Sequence, residues 1–415
     1  MKPFPILLFA LAAGNATALA QTRQQTLEVT VENNWTSAKE DEPVVIRLAD
    51  VNPGFEVQSA TVFCGEKEIP SQLDDLNRDT EADELAFVAD IPARSKQTFR
   101  VILSDQPSEK TYPARTHAQM RLSDKNQKCP HINYITFEGT VPVKQSYSAM
   151  YHHGPAFESE LVAFRAYMDN RQSIDLYGKK YQRLELAETN FYPKKEQLAA
   201  GYGDDVLWAG TSIGVGSFRG WLDNKLQTID TVESRSAGVL ASGPVRSVVE
   251  FFDRNWQYGG RTLNMTQRYT LYAGHRDVQV DIRFKEADAK DATFSTGVQK
   301  LERDNVGFLQ ADGLAGSWGS NLAYKNDTVN HPRETVGLGI CVPKRYVTAH
   351  QEDDVNYLFQ MDTDGGRELT YYFTFNALKE DKGFKDSPSW FAYLKEWQQA
   401  LAQPCKVTIH SLHNN

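Results

Sequence analysis

Cysteine is scarce in this chain. Four occur in 415 residues (Cys64, Cys129, Cys341 and Cys405), and none belongs to a C-x-x-C pair. That excludes the ligand spacing of zinc ribbons and dithiol redox sites. An even count permits two disulfides in an oxidising compartment, but the spacing does not fix their pairing, and buried structural thiols are the plainer expectation. Basic charge is in deficit: 45 Lys and Arg stand against 54 Asp and Glu, for a net charge of −9. A nucleic-acid partner would want a basic stripe, so none is expected. The sequence also lacks H-E-x-x-H and a complete EF-hand loop. "DTDGGRE" starts like a calcium loop but lacks the later ligands, and Gly365–Gly366 reads as a hairpin turn. His331, in "NHPRE", would need a distant histidine to hold a divalent metal. No cofactor is therefore expected.

Long apolar runs are missing as well, which excludes membrane insertion by a helix. The apolar stretch "ILLFALAAG" near the start is too short to span a bilayer. It follows Lys2 and leads to small residues at Ala18 and Ala20. That pattern is a cleavable secretory signal over residues 1–20, and it predicts an exported protein, periplasmic or secreted.

What is present is β pattern. "TLEVTVENN", "EPVVIRLAD", "SATVFCG", "ELAFVADI" and "QTFRVILSD" are short apolar or alternating blocks between turn residues, which predicts a small sandwich. "SDQPSEKTYPART" reads as a linker. The expected units are therefore 21–112, a sandwich with its linker, and 113–415, a larger β domain. In the latter, "RYTLYAGHRDVQVDIRF" reads as a hairpin turned at Ala273–Gly274. One helix is expected late, in "SPSWFAYLKEWQQALAQP", capped by Ser387 or Ser389 and stopped by Pro404.

Titratable groups concentrate in "YHHGPAFESELVAFRAYMDNRQSIDLYGKK", residues 151–180. On a strand His152 and His153 would face opposite sides, so one at most meets a given cleft. Further along, Arg165 and Tyr167 share a face, with Glu160 joining them after a small register break. Lys179 carries the same polar character past a turn. The alternative for this block is a solvated sheet face laced with ion pairs. Elsewhere, Trp208 and Trp221 can stack on a sugar ring or fill a core. Arg268, Tyr272 and His275 cluster at the hairpin.

The blocks "MYHHGPAFESELVAFRAYMDNRQSIDLYGKK", "DEPVVIRL" and "EIPSQLDDLNRDTEADELAFVADIPA" resemble a bacterial family of exported proteins labelled a domain of unknown function. Its members are found with enzymes that degrade acidic polysaccharides, and part of the family is associated with oligosaccharide dehydratase activity in ulvan breakdown. The resemblance covers nearly the whole chain after the signal. It implies a fold that is all-β, with a small N-terminal β-sandwich followed by a large galactose-mutarotase-like β-supersandwich.

The activity it implies is loss of water from a terminal uronic acid of an acidic oligosaccharide, giving a 4,5-unsaturated uronate. Such a β-elimination must neutralise the uronate carboxylate, take the C5 proton and protonate the leaving hydroxyl. The expected base is His153, with His152 in reserve. Tyr167 is the expected acid, and Glu160 would orient the histidine or the arginine. Arg165 is the expected carboxylate clamp and Arg268 the second choice. Tyr272, His275, Trp208 and Lys179 are the further substrate contacts. A polysaccharide lyase, a mutarotase or epimerase, and a non-catalytic carbohydrate-binding protein use overlapping residue types and remain alternatives.

Overall fold

The computed structural model describes residues 22–412, apart from 125, 127–129, 286–287, 325–327 and 329–330. The expected signal segment and Cys129 lie outside the described residues. Cys64, Cys341 and Cys405 are free thiols, and Cys341 is buried.

The architecture is all-β, as expected. Gln24–Asn33 shows why: Leu27, Val29 and Val31 are fully buried while the residues between them are not, the period of a strand with one wet face. It sits in a five-stranded antiparallel sheet with Ser95–Ser104, Ser59–Cys64 and Lys67–Ile69. A three-stranded sheet of Lys39–Arg47, Glu84–Ile91 and Ser71–Asp74 covers its inner face. Phe87 from one sheet meets Phe99 from the other at 5.1 Å.

The fifth strand of that sheet departs from the expected division of the chain. Lys406–Leu412 pairs antiparallel with Gln24–Asn33, from Thr26 opposite Leu412 to Glu32 opposite Lys406. The C-terminus therefore completes the N-terminal sandwich, and a unit running unbroken over 113–415 overstates the second domain. Hydrogen bonding of an otherwise open sheet edge is the physical reason.

The larger part is built on a nine-stranded antiparallel sheet whose centre is Glu368–Ala377, Asp277–Phe284, Arg261–Tyr272 and Arg246–Tyr258. In Asp277–Phe284 the residues Val278, Val280 and Ile282 point inward, and Gln279, Asp281 and Arg283 outward. Two five-stranded sheets cover the inner face. One holds Thr116–Gln119, Ala156–Ser159, Ala163–Ala166, Ile174–Gly178 and Asp204–Asp205. Phe164 of this sheet packs edge-on against Phe373 and Phe375 of the large sheet, at 5.4 and 5.2 Å. These contacts fix the position of the strand that carries Arg165.

The expected helix forms over Ser387–Leu401, capped by Asp386 and not by Ser387 or Ser389. The Asp386 carboxylate accepts the Ser389 N–H at 2.8 Å, which a serine inside the first turn cannot do for itself. The helix buries Trp390 and Leu394 against strands Leu314–Asn321 and Glu334–Cys341. Gly316, Gly337 and Gly339 leave no side chain between sheet and helix.

Candidate active site

Residues 151–180 do not form one long strand. Ala156–Ser159 and Ala163–Ala166 are a hairpin whose turn is 160–162, closed by the Ser159 N–H on the Val162 carbonyl at 3.0 Å. Ile174–Gly178 returns beside the second strand, and this register sets Asp175 opposite Arg165. His152 and His153 precede the hairpin in a turn, not a strand. His153 has φ of 69°, a left-handed conformation that non-glycine residues take mainly where surrounding contacts impose it.

These segments enclose a cavity of about 230 Å³ lined by His153, Arg165, Tyr167 and Trp208 among the expected residues. Tyr147, Arg171, Asp175, Tyr192, Asp205 and Tyr324 complete its polar wall. At its centre the Arg165 guanidinium donates from all three of its nitrogens. Nε and Nη2 donate to Asp175 Oδ2 at 2.8 and 2.5 Å, and Nη2 reaches Asp205 Oδ2 at 3.1 Å. Nη2 also meets the Tyr167 hydroxyl at 2.9 Å, and Nη1 the Tyr192 hydroxyl at 2.6 Å. Phe191 lies against its face at 4.3 Å. A cation so matched by two carboxylates has little charge left for a substrate carboxylate. Arg165 thus organises the floor of the cavity, where the sequence suggested a free clamp. Arg171 is the more open cation: its side chain is 39% exposed, it pairs with Asp169 at 3.0 Å, and it donates to the Gly210 carbonyl at 2.7 Å.

Tyr167 and His153 are two groups of the cavity able to exchange protons. The Tyr167 hydroxyl donates to Asp175 Oδ2 at 2.6 Å. Burial, reinforced by Asp175, holds its pKa well above the usual phenol range, so the proton stays on oxygen near neutrality. His153 stacks on Tyr147 with ring centroids 3.8 Å apart. Its Nδ1 lies 3.1 Å from the Tyr147 carbonyl. A carbonyl can only accept, so Nδ1 carries the proton and Nε2 the lone pair. Burial lowers the His153 pKa, which keeps the ring neutral. Asp205 is held well above the ordinary carboxylic range by burial and by the charge of Asp175. At the rim His331 Nδ1 meets Asp204 Oδ2 at 2.9 Å, and its ring packs on Tyr324 at 4.1 Å. Among the described residues no cluster of three or more His, Cys, Asp and Glu could hold a metal ion.

The other expected residues lie elsewhere, each engaged in structure. His152 is fully buried, with Nδ1 2.7 Å from the Gly154 carbonyl, and burial pushes its pKa down to about 3. Glu160 sits in the hairpin turn and accepts from Arg115 Nε at 2.7 Å and from the Gly274 N–H at 3.0 Å. It cannot orient His153 or Arg165 from there. Arg115 also binds Asp41 of the sandwich at 2.6 and 2.8 Å, so Glu160 helps dock the two parts of the chain. Lys179 is buried against Glu158 at 2.5 Å. Arg268 pairs with Glu250 at 2.6 Å and reaches the Leu76 carbonyl at 3.2 Å. His275 bridges Asp277 and the Asp41 carbonyl at 3.1 and 3.0 Å. Tyr272 lies near it, on the outer face of the large sheet. Trp208 is 44% exposed at the cavity, whereas Trp221 is core.

Comparison with known proteins adds a family to this geometry. The model of a family described as "Domain of unknown function (DUF4861)" matches residues 31–407. "Uncharacterized protein P7" of Formosa agariphila is 22% identical over 425 residues, covering 99% of this chain and 100% of its own. Among solved structures, a protein in glycosyl hydrolase family 38 from Enterococcus faecalis aligns over 94% of this chain and 47% of its own, with TM-score 0.45 and 9% identity. An α-mannosidase from Enterococcus faecalis V583 aligns over 94% and 46%, with TM-score 0.42 and 9% identity. The chain spans about half the length of these two solved chains.

Proposed function

The chain belongs to the DUF4861 family, and from that premise we propose that it is a carbohydrate-active enzyme that removes water from a terminal uronic acid of an acidic oligosaccharide. The observation that carries the reading is His153. It is a neutral imidazole with its Nδ1 proton fixed on a carbonyl and its Nε2 lone pair available, in a cavity walled by tyrosines and an open arginine.

In this mechanism Arg171 holds the uronate carboxylate. Its charge offsets the negative charge that builds on the carboxylate as C5 is deprotonated. His153 Nε2 takes the C5 proton, and the C5–H electron pair becomes the C4=C5 bond. The C4–O bond breaks, and the oxygen leaves as water with the proton of Tyr167, whose hydroxyl turns from Asp175 to the leaving oxygen. The phenolate left behind lies 2.9 Å from Arg165 Nη2, which gives Arg165 a stabilising task in place of the clamp role. Protons then balance by return from His153 to Tyr167 through solvent.

Cavity size favours a terminal sugar over an internal bond. About 230 Å³ is below the ~300–1,000 Å³ of ordinary ligand clefts, and suits one ring more than a length of polymer. A polysaccharide lyase performs the same elimination with a sugar as leaving group, and would need an open groove at this point.

The test is incubation of the purified protein with oligosaccharides that end in a saturated uronic acid. Ultraviolet absorbance of the unsaturated uronate and product mass are followed together. A rise in absorbance with loss of one water and unchanged chain length is the expected result. Chain shortening would make the protein a lyase. Silence across an acidic panel, with binding retained, would make it a carbohydrate-binding protein.

A further inference from the structure

We propose that a second, non-catalytic site for an anionic oligosaccharide lies on the outer face of the nine-stranded sheet, between that sheet, the N-terminal sandwich and the end of the Ser387–Leu401 helix. The proposal shares only its ligand class with the reading above, and needs no chemistry at His153.

Two adjoining hollows form this cleft, of about 300 and about 840 Å³. They meet at Gln279, Tyr372, Leu401 and Pro404, which line both. The alternation of the large sheet creates the floor. Tyr371 and Val280 turn into the core, so their neighbours Tyr372 and Gln279 turn out into the cleft. The sandwich supplies Trp35 and the helix Trp397, with Tyr272 between them. Lys39 ties the sandwich to the helix end through the Ala400 carbonyl at 3.3 Å, which holds the walls apart at a fixed width.

The lining differs from one end to the other. The smaller hollow is aromatic, with hydrogen-bonding groups on Gln279, His275 and Asp277, and with Glu40 and the Lys39–Glu42 pair on its sandwich side. Flat rings beside a few fixed polar groups are the means by which proteins hold amphipathic rings such as sugars. The charged lining of the larger hollow is Lys344, Arg345 and Asp312. Lys344 donates to the Ala311 carbonyl at 2.6 Å and Arg345 to the Tyr346 hydroxyl at 3.0 Å. Neither forms an ion pair among the described residues. In a chain of net charge −9, two adjacent exposed cations outside any ion pair, against the single carboxylate of their hollow, favour an anion. Aromatic rings at one end and exposed cations at the other suit a chain of sugars whose carboxylate or sulfate group lies at the Lys344 end, away from Glu40, Glu42 and Asp277.

Equilibrium titration of a uronate-terminated tetrasaccharide into full-length His153→Gln protein tests this without turnover. A second probe is the same tetrasaccharide with its carboxylates reduced to alcohols. The Trp35→Ala/Tyr372→Ala double variant should weaken one class of site at least about tenfold, ~1.4 kcal/mol. Lys344→Ala/Arg345→Ala should weaken the charged probe and leave the reduced probe unchanged. Both variants keep the wild-type thermal midpoint if the substitutions are local, and that midpoint is measured alongside. Titrations unchanged by both pairs, or no binding of the charged probe, would overturn the second site. Failure of the proposed elimination would not touch it: the tetrasaccharide would then bind in the cleft alone, and Trp35→Ala/Tyr372→Ala would abolish that binding.

Discussion

Arg165 lines the cavity, but as a cation already matched by Asp175 and Asp205. The sequence shows an arginine beside a tyrosine in a block dense with titratable groups. It does not show that Asp175 stands directly across the hairpin or that Asp205 arrives from a later strand. Those neighbours turn a free cation into a matched one. Substituting Arg165→Met leaves two buried carboxylates without their countercharge, a loss expected to be ~3–5 kcal/mol of folding stability. Denaturant unfolding measures it, and Arg165→Met/Asp175→Asn should recover part of the loss. His153 was legible by type, because few side chains exchange protons near neutrality. Its tautomer and its positive φ were not legible, since both come from the Tyr147 segment and the turn. The burial that lowers its pKa has a direct consequence for the rate. The lone pair persists below the ordinary histidine range, so kcat/KM should stay level to below about pH 6.5 and only then fall. His153→Gln should lose ~10²–10⁴-fold in kcat with its thermal midpoint kept. A profile that falls off above pH 6.5 in the wild type would assign the base elsewhere.

Elements were easier to read than partners. The strands of the sandwich, the hairpin at Ala273–Gly274 and the late helix all follow from period and turn chemistry within one segment. The hairpin at 160–162 escaped notice because no Asn-Gly or Asp-Gly marks it, and Ser159 closes the turn instead. Glu160 was misplaced for that reason. The helix also depends on something its own sequence does not announce, the bare glycine surface beneath it. At Gly339 an added side chain would run into Leu394, and at Gly337 into Trp318 and Trp390. Gly339→Val should therefore push the Ser387–Leu401 helix off the sheet, at ~1–3 kcal/mol for overpacking. Gly365→Ala has open space but a positive φ of 58°, and serves as a control for backbone strain alone. An unchanged thermal midpoint in Gly339→Val would show that the helix does not rest on the bare backbone at that position.

At the scale of the whole molecule, the ionic residues expected to serve one site are divided between a cavity and a seam. Arg246 binds Asp74 and Glu84 of the sandwich at 2.7 and 2.8 Å. Arg115 bridges Asp41 and Glu160, and His275 reaches the Asp41 carbonyl. Charge type alone cannot distinguish a docking seam from a binding site, because both gather the same residues. His275 makes the seam sensitive to pH. Burial pulls its pKa down, but Asp277 and the Asp41 carbonyl outweigh burial and raise it to about 9. A raised histidine stabilises the folded form fully below its unfolded pKa of ~6.5, and that contribution disappears as pH rises through about 9. The unfolding midpoint of the wild type should accordingly drop between about pH 6 and about pH 9.5, while His275→Gln starts lower and changes less over that window. Equal slopes for the two proteins would place the titration elsewhere.

The pairing of Lys406–Leu412 with Gln24–Asn33 also sets an order of events. Domains made first on the ribosome commonly fold first. Here the first sheet lacks an edge strand until residues 406–412 have been made. Its edge hydrogen bonds must wait for the larger part to be made, so the strand Gln24–Asn33 gains its second neighbour only after that part has left the ribosome.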